Sequence, residues 1–167
     1  MSDSIQFNAT NGFVPATNPA TLLINNGTND IPKAQLTFPT NEDRGAVFGP
    51  YTAVDYVSGD ATIDTWWRSV DSENTGDIRI GVSIAVDTGI DLDALNWDTE
   101  TIAVVTIDST TGEVTLVSID IPEANLQALT SGGGFWIRLR RAAGASDTGG
   151  DDDMAGRAGF VRAHFYH

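Results

Sequence analysis

Phe135-Trp-Ile-Arg-Leu-Arg-Arg141 and Phe160-Val-Arg-Ala-His-Phe-Tyr-His167 both alternate apolar and polar side chains with a period of two. Successive side chains of a strand point to opposite faces, so this alternation marks strands buried on one side. In the first run Phe135, Ile137 and Leu139 point one way, and Trp136, Arg138 and Arg140 the other. In the second, Val161, Ala163 and Phe165 oppose Phe160, Arg162, His164 and Tyr166. Between them, residues 144–153 are Gly, Ala, Ser, Asp and Thr, a composition that has to turn. The chain is expected to close on this terminal strand pair, inside a sheet and without a tail.

Working outward, Ile78, Ile80, Val82, Ile84 and Val86 form the longest unbroken alternation. Residues 61–69 place Ile63, Thr65 and Trp67 on one face and Asp64, Trp66 and Arg68 on the other. Residues 102–108 and 114–121 read as two strands of a hairpin around Ser109-Thr-Thr-Gly112. Shorter strands are expected at 21–24 and 34–38. Pro122 to Leu129 is the one helical pattern, with proline in the first turn and Leu126 and Leu129 three apart. These elements predict an all-β fold: an antiparallel β-sandwich, jelly-roll-like, with eight or nine strands and one short helix near 122–130. The domain is expected over 31–167. Residues 1–30, rich in Asn, Thr, Pro and Gly, read as an extended N-terminal arm for docking or inter-subunit contact.

Composition narrows the function classes. The 167 residues carry 23 acidic and nine basic side chains, a net charge of −14, with no cysteine. An acidic chain lacks the basic footprint that nucleic acid requires, and no apolar run is long enough to span a membrane. No thiolate metal site or disulfide is available. No secretion signal precedes the first strand, so synthesis in the cytoplasm is expected.

No catalytic constellation emerges. His164 and His167 are the only histidines, fall on opposite faces of a strand, and have no Ser or Asp partner in a recognisable motif. A non-enzyme without a required cofactor is expected. The acidic run offers one metal candidate, Asp147, Asp151, Asp152 and Asp153, whose oxygens suit calcium although their spacing follows no EF-hand. The alternative for this run is a solvated turn beside Arg140, Arg141 and Arg157. Asp87, Asp91 and Asp93 form a weaker group of the same kind.

Outward aromatic and arginine side chains are the remaining signal. Trp66, Arg68, Trp136, Arg138, Arg140, Arg162, His164 and Tyr166 suit a subunit interface, where aromatic residues and arginine are enriched. Trp66 and Trp136 are expected on neighbouring strands. The alternative for Trp66, Trp97 and Trp136 is stacking on sugar rings, since a flat aromatic face matches the apolar face of a pyranose.

Trp66-Trp67-Arg68, then Gly76-Asp77-Ile78-Arg79, then the 135–141 strand, the acidic connection and the closing His164-Phe-Tyr-His167 occur in an order with a known counterpart. Over residues 34–167 this order resembles small β-sandwich virion structural proteins of tailed phages and prokaryotic viruses. The resemblance implies a non-enzymatic capsid decoration, head-fibre or tail-associated component, displayed on the particle surface. It implies a homotrimer, with the major capsid protein or other virion proteins as partners. A carbohydrate-binding module or host-glycan adhesin is the alternative function, with a host glycan as partner.

Overall fold

The computed structural model describes residues 4–12, 20–26, 32–39, 44–70, 76–87, 95–107, 113–126, 129–143, 152–154 and 156–167. Within them ten strands form two antiparallel sheets. The strands are β1 (Ser4–Asn8), β2 (Thr21–Asn26), β3 (Pro32–Phe38), β4 (Arg44–Thr52) and β5 (Ala61–Ser69). They continue as β6 (Gly76–Asp87), β7 (Thr101–Ile107), β8 (Thr115–Ile121), β9 (Gly134–Arg141) and β10 (Ala158–Tyr166). One sheet runs β2-β3-β10-β5-β8, with β1 also paired to β10; the other runs β4-β9-β6-β7. This is the expected jelly-roll-like sandwich, with one or two strands more than the sequence patterning counts. Part of the excess comes from 1–30, where β1 pairs with β10 and β2 with β3.

The alternation explains the core. Along β5 every second residue is buried, and Ile63, Thr65 and Trp67 lie inward as the pattern requires. Ile78, Ile80, Val82 and Ile84 of β6 and Phe135, Ile137 and Leu139 of β9 are all fully buried. Aromatic rings join the two layers: Phe48 of β4 meets Phe160 of β10 at 5.5 Å, and Phe135 of β9 meets Phe165 of β10 at 5.3 Å. Each such side chain removed from water contributes about 1.5–3 kcal/mol. Tyr51, at the end of this cluster, is pushed up to about 12 by burial and stays a neutral hydroxyl at physiological pH.

Four expectations need correction. The expected hairpin is not one: β7 pairs with β6 in the four-stranded sheet, whereas β8 pairs with β5 in the six-stranded one. The chain crosses between layers here, because Ile107 and the Val117–Ile119 side both face the shared core. Likewise β9 and β10 are not partners but sit in opposite sheets. Phe160 turns inward, not outward with Arg162. A bulge between Phe160 and Arg162 inserts one residue, which resets the alternation and buries Phe160 against Trp67. The helix near 122–130 is a single 3₁₀ turn at Glu123–Asn125, with Leu126 and Leu129 buried beneath it; residues 127–128 lie outside the described residues.

Candidate functional site on the six-stranded sheet

Because β1, β10, β5 and β8 are adjacent and in register, their outward residues form rows across the sheet. One row is Asn8, Arg162, Trp66 and Leu116; the next is Gln6, His164, Asp64 and Ser118; the third is Ser4, Tyr166, Thr62 and Asp120. The bulge in β10 sets the first row, since it is what returns Arg162 to the outer face opposite Trp66. A groove of about 360 Å³ opens here, walled by Gln6, Asn8, Trp66, Arg162 and His164, with Phe7 and Ala163 at its floor.

The hydrogen-bonding state of these groups is specific. The Arg162 guanidinium carbon lies over the Trp66 ring, 4.4 Å from its centroid, a cation–π contact. Asn8 Oδ1 is already occupied, accepting from the Thr10 amide at 2.9 Å and the Thr10 hydroxyl at 2.6 Å. His164 Nε2 is buried without a hydrogen-bond partner, and its ring sits 5.2 Å from that of Tyr166. Arg68 donates through Nε to Gln35 Oε1. Burial pulls the Arg68 guanidinium below its ordinary value. Gln35 can lie there because Gly159 has no side chain: a Cβ on it would stand 2.7 Å from Gln35 Oε1. On the far rows Asp64 Oδ1 accepts from the Ser118 hydroxyl at 2.5 Å, and Asp120 Oδ1 from that of Thr62 at 2.9 Å. The face therefore combines a half-buried indole, one side of which Arg162 covers, with planar polar groups that can hydrogen-bond the edge of a ligand ring seated beside it.

The residues singled out in the sequence divide between the two outer surfaces. Trp66, Arg68, Arg162, His164 and Tyr166 share the six-stranded sheet. Trp136, Arg138 and Arg140 lie on β9, on the outside of the other sheet, so Trp66 and Trp136 are not on neighbouring strands. Trp97 goes with the second group, beneath the Arg138 guanidinium at 5.0 Å. The three tryptophans thus form no common platform.

The second surface is covered by its own chain. Asp98 N donates to Ile84 O at 2.9 Å, which prolongs the β7 edge alongside β6. Glu100 is held by the Arg140 fork, with Nε to Oε1 at 2.5 Å and a second bond from Nη2. Gly81 makes room for this pair, since a Cβ there would stand 2.3 Å from Glu100 Oε1. Arg138 donates to Ser83 Oγ at 3.0 Å and lies 4.0 Å from Glu100.

The acidic run has a structural occupation. Asp152 is paired with the fully buried Arg141, through Nε to Oδ2 at 2.9 Å and Nη2 to Oδ1 at 2.5 Å. Asp153 Oδ1 accepts from the Asp77 amide at 2.6 Å. Asp147 and Asp151 lie outside the described residues, as do Asp91 and Asp93. Among the described residues no group of three His, Cys, Asp or Glu side chains is placed to hold a metal ion.

Gln6, Asn8 and the inward Arg141 are the contributors that sequence reasoning passed over. Their signal is the same alternation: Phe7 is flanked by Gln6 and Asn8, and Arg141 continues the inward set of Phe135, Ile137 and Leu139.

No family model and no curated protein matches the chain. Solved structures do match it along nearly their whole length. The CBM22-2 xylan-binding domain of Paenibacillus barcinonensis Xyn10C is 13% identical, covers 96% of this chain and 97% of its own, and superposes with a TM-score of 0.55. The CBM22-1 xylan-binding domain of the same protein is 10% identical, over 98% and 94%, at 0.55. The C-terminal CBM6 of LamC, a marine laminarinase from Zobellia galactanivorans, is 12% identical, over 99% and 100%, at 0.52. These likenesses are of fold: a jelly-roll β-sandwich.

Proposed function

We propose that the protein is a non-catalytic carbohydrate-binding β-sandwich whose ligand lies across the outer face of the six-stranded sheet. The carrying observation is Trp66, half-buried at the centre of an open polar face, with Arg162 over its ring and Gln6, Asn8 and His164 around it. A sugar presents an apolar ring face and an edge of hydroxyls, and this groove meets both with an indole and planar hydrogen-bonding groups. Solved modules of the same fold are named for polysaccharide binding, which supports the reading. On the opposite face Trp97 lies beneath Arg138 and Glu100 is held by Arg140. Trp66→Ala is expected to weaken retention on immobilised polysaccharides by roughly thirtyfold, the effect of losing about 2 kcal/mol at a central aromatic anchor. Trp136→Ala should bind as the parent does. Affinity electrophoresis across a polysaccharide panel measures both; a parent that no polysaccharide retards, or an unaffected Trp66→Ala, would overturn the assignment.

A second reading is an assembling virion component on a particle surface, as the sequence resemblance implies. One observation favours assembly: apolar side chains stand open on edge strands, with Leu22 and Ile24 on β2, Ile102 and Val104 on β7, and Leu116 on β8. Light scattering during size exclusion is expected to give three times the 17.7 kDa chain mass. A monomer at all concentrations would remove the assembly reading and leave the glycan site untouched.

A further inference from the structure

We infer that the sugar bound at this groove carries a carboxylate, and that Arg162 reads it; the inference rests on the glycan-binding reading and names the class of ligand. In a chain with 23 acidic and nine basic residues, cations are expected to find carboxylates of their own. The buried and half-buried arginines of β9 do: Arg140 holds Glu100 and Arg141 holds Asp152. Arg162 does not. Among the described residues its partner is the Trp66 ring alone, although it stands at the middle of a sheet face. Arg68, two residues along β5 from Trp66, is likewise bonded to an amide, Gln35, and not to an acid.

Two of the groups that border Trp66, Arg162 and Asn8, present only donors to a ligand. A guanidinium has five N–H donors and no acceptor, and the fork matches a carboxylate with two parallel bonds. The indole beneath Arg162 shields one face of the guanidinium from water, which leaves its in-plane N–H groups for a ligand. Asn8 has spent its oxygen on Thr10, so its amide NH₂ is what it presents. The carboxylates of the face, Asp64 and Asp120, sit on the other rows, where each accepts through Oδ1 from a hydroxyl, of Ser118 and Thr62 respectively. A neutral sugar edge, whose hydroxyls both donate and accept, does not call for such a donor excess; a uronic acid residue does. The net charge of −14 opposes any anionic chain at long range, so the attraction must be local to the groove.

The test pairs acidic polysaccharides with neutral counterparts of the same backbone: polygalacturonate against its methyl ester, and glucuronoxylan against xylan stripped of glucuronate. Titration calorimetry with the full chain is expected to show the acidic member of at least one pair bound roughly tenfold tighter or more, the size of a charge-assisted bidentate contact. Arg162→Gln should erase that preference without shifting the melting temperature, and Arg162→Lys, which keeps the charge but not the fork, should fall between. Equal affinity within every pair, a preference that survives Arg162→Gln, or binding confined to sulfated glycans would overturn the carboxylate inference while the glycan reading stands. Binding to no glycan at all would overturn both.

Discussion

Replacing Asp152 with alanine is expected to lower the unfolding free energy by about 3–5 kcal/mol, the cost of leaving a buried charge without its partner. Arg141 has no exposed surface, and its donors are shared between Asp152 and three backbone carbonyls: Gly156 O at 2.7 Å, Met154 O at 2.8 Å and Phe38 O at 3.4 Å. Phe38 ends β3 in one sheet while Arg141 ends β9 in the other, so one side chain ties both layers to the segment that enters β10. Asp152 also accepts from the Arg79 amide at 3.1 Å, and Asp77 O accepts the amides of Asp153 and Met154. Gly76 permits the close passage, since a Cβ there would stand 2.7 Å from Met154 Cα. Without the carboxylate the guanidinium keeps its three carbonyls but has no counter-charge in a region that water does not reach.

The double variant Arg141→Met with Asp152→Leu separates charge from hydrogen bonding. It removes the unpaired ion but orphans the carbonyls of Phe38, Met154 and Gly156. It is therefore expected to remain less stable than the parent, yet to lose less than the two single changes added together. Urea denaturation followed by tryptophan fluorescence reads the parent, Asp152→Ala, the two single changes and the double variant. A loss below about 1 kcal/mol for Asp152→Ala would show that the buried pair is not what holds this corner.

Trp67→Ala is expected to cost a similar amount, about 3–5 kcal/mol, through the cavity it leaves in the core. Trp67 has no exposed surface and packs at 5.2 Å from the Phe38 ring and 5.5 Å from that of Phe160. Its Nε1 donates to Thr65 Oγ1 at 2.9 Å, and Thr65 in turn donates to Val117 O at 3.2 Å. Two buried polar groups are thereby satisfied inside an apolar layer. In a chain of this length such a loss corresponds to about 10 °C in melting temperature. The neighbouring Trp66→Ala, on the solvent side of the same strand, is expected to change stability by less than about 1 kcal/mol while weakening sugar retention roughly thirtyfold. Thermal melts and affinity electrophoresis on the two variants should thus separate cleanly. Equal destabilisation by both would contradict the assignment of Trp66 to an open binding face.

These two tryptophans mark how far the sequence reaches alone. Alternation along residues 61–69 is enough to send Trp67 inward and Trp66 outward, because successive side chains of a strand must oppose one another. The same rule places Ile78 to Ile84 and Phe135 to Leu139 in the core, and it yields the sandwich class. Followed two residues further, it also puts Arg141 inside, where burial demands a carboxylate and the Asp-rich run has one to offer. The rule fails at Phe160, where the bulge adds a residue that no composition signal announces.

Which strands become partners is a different kind of fact. Every ladder is made of the same backbone N–H and C=O groups, so period-two patterning cannot say whether β7 and β8 form a hairpin or cross between layers. That choice is settled by long-range closure: Ile107 and Val117 must both reach one core, and β10 must serve β1, β3 and β5 together. Tertiary structure alone therefore brings Asn8, Arg162 and Trp66, more than 150 residues apart at the extremes, into one row, and sends Trp97 and Trp136 to the opposite side of the molecule.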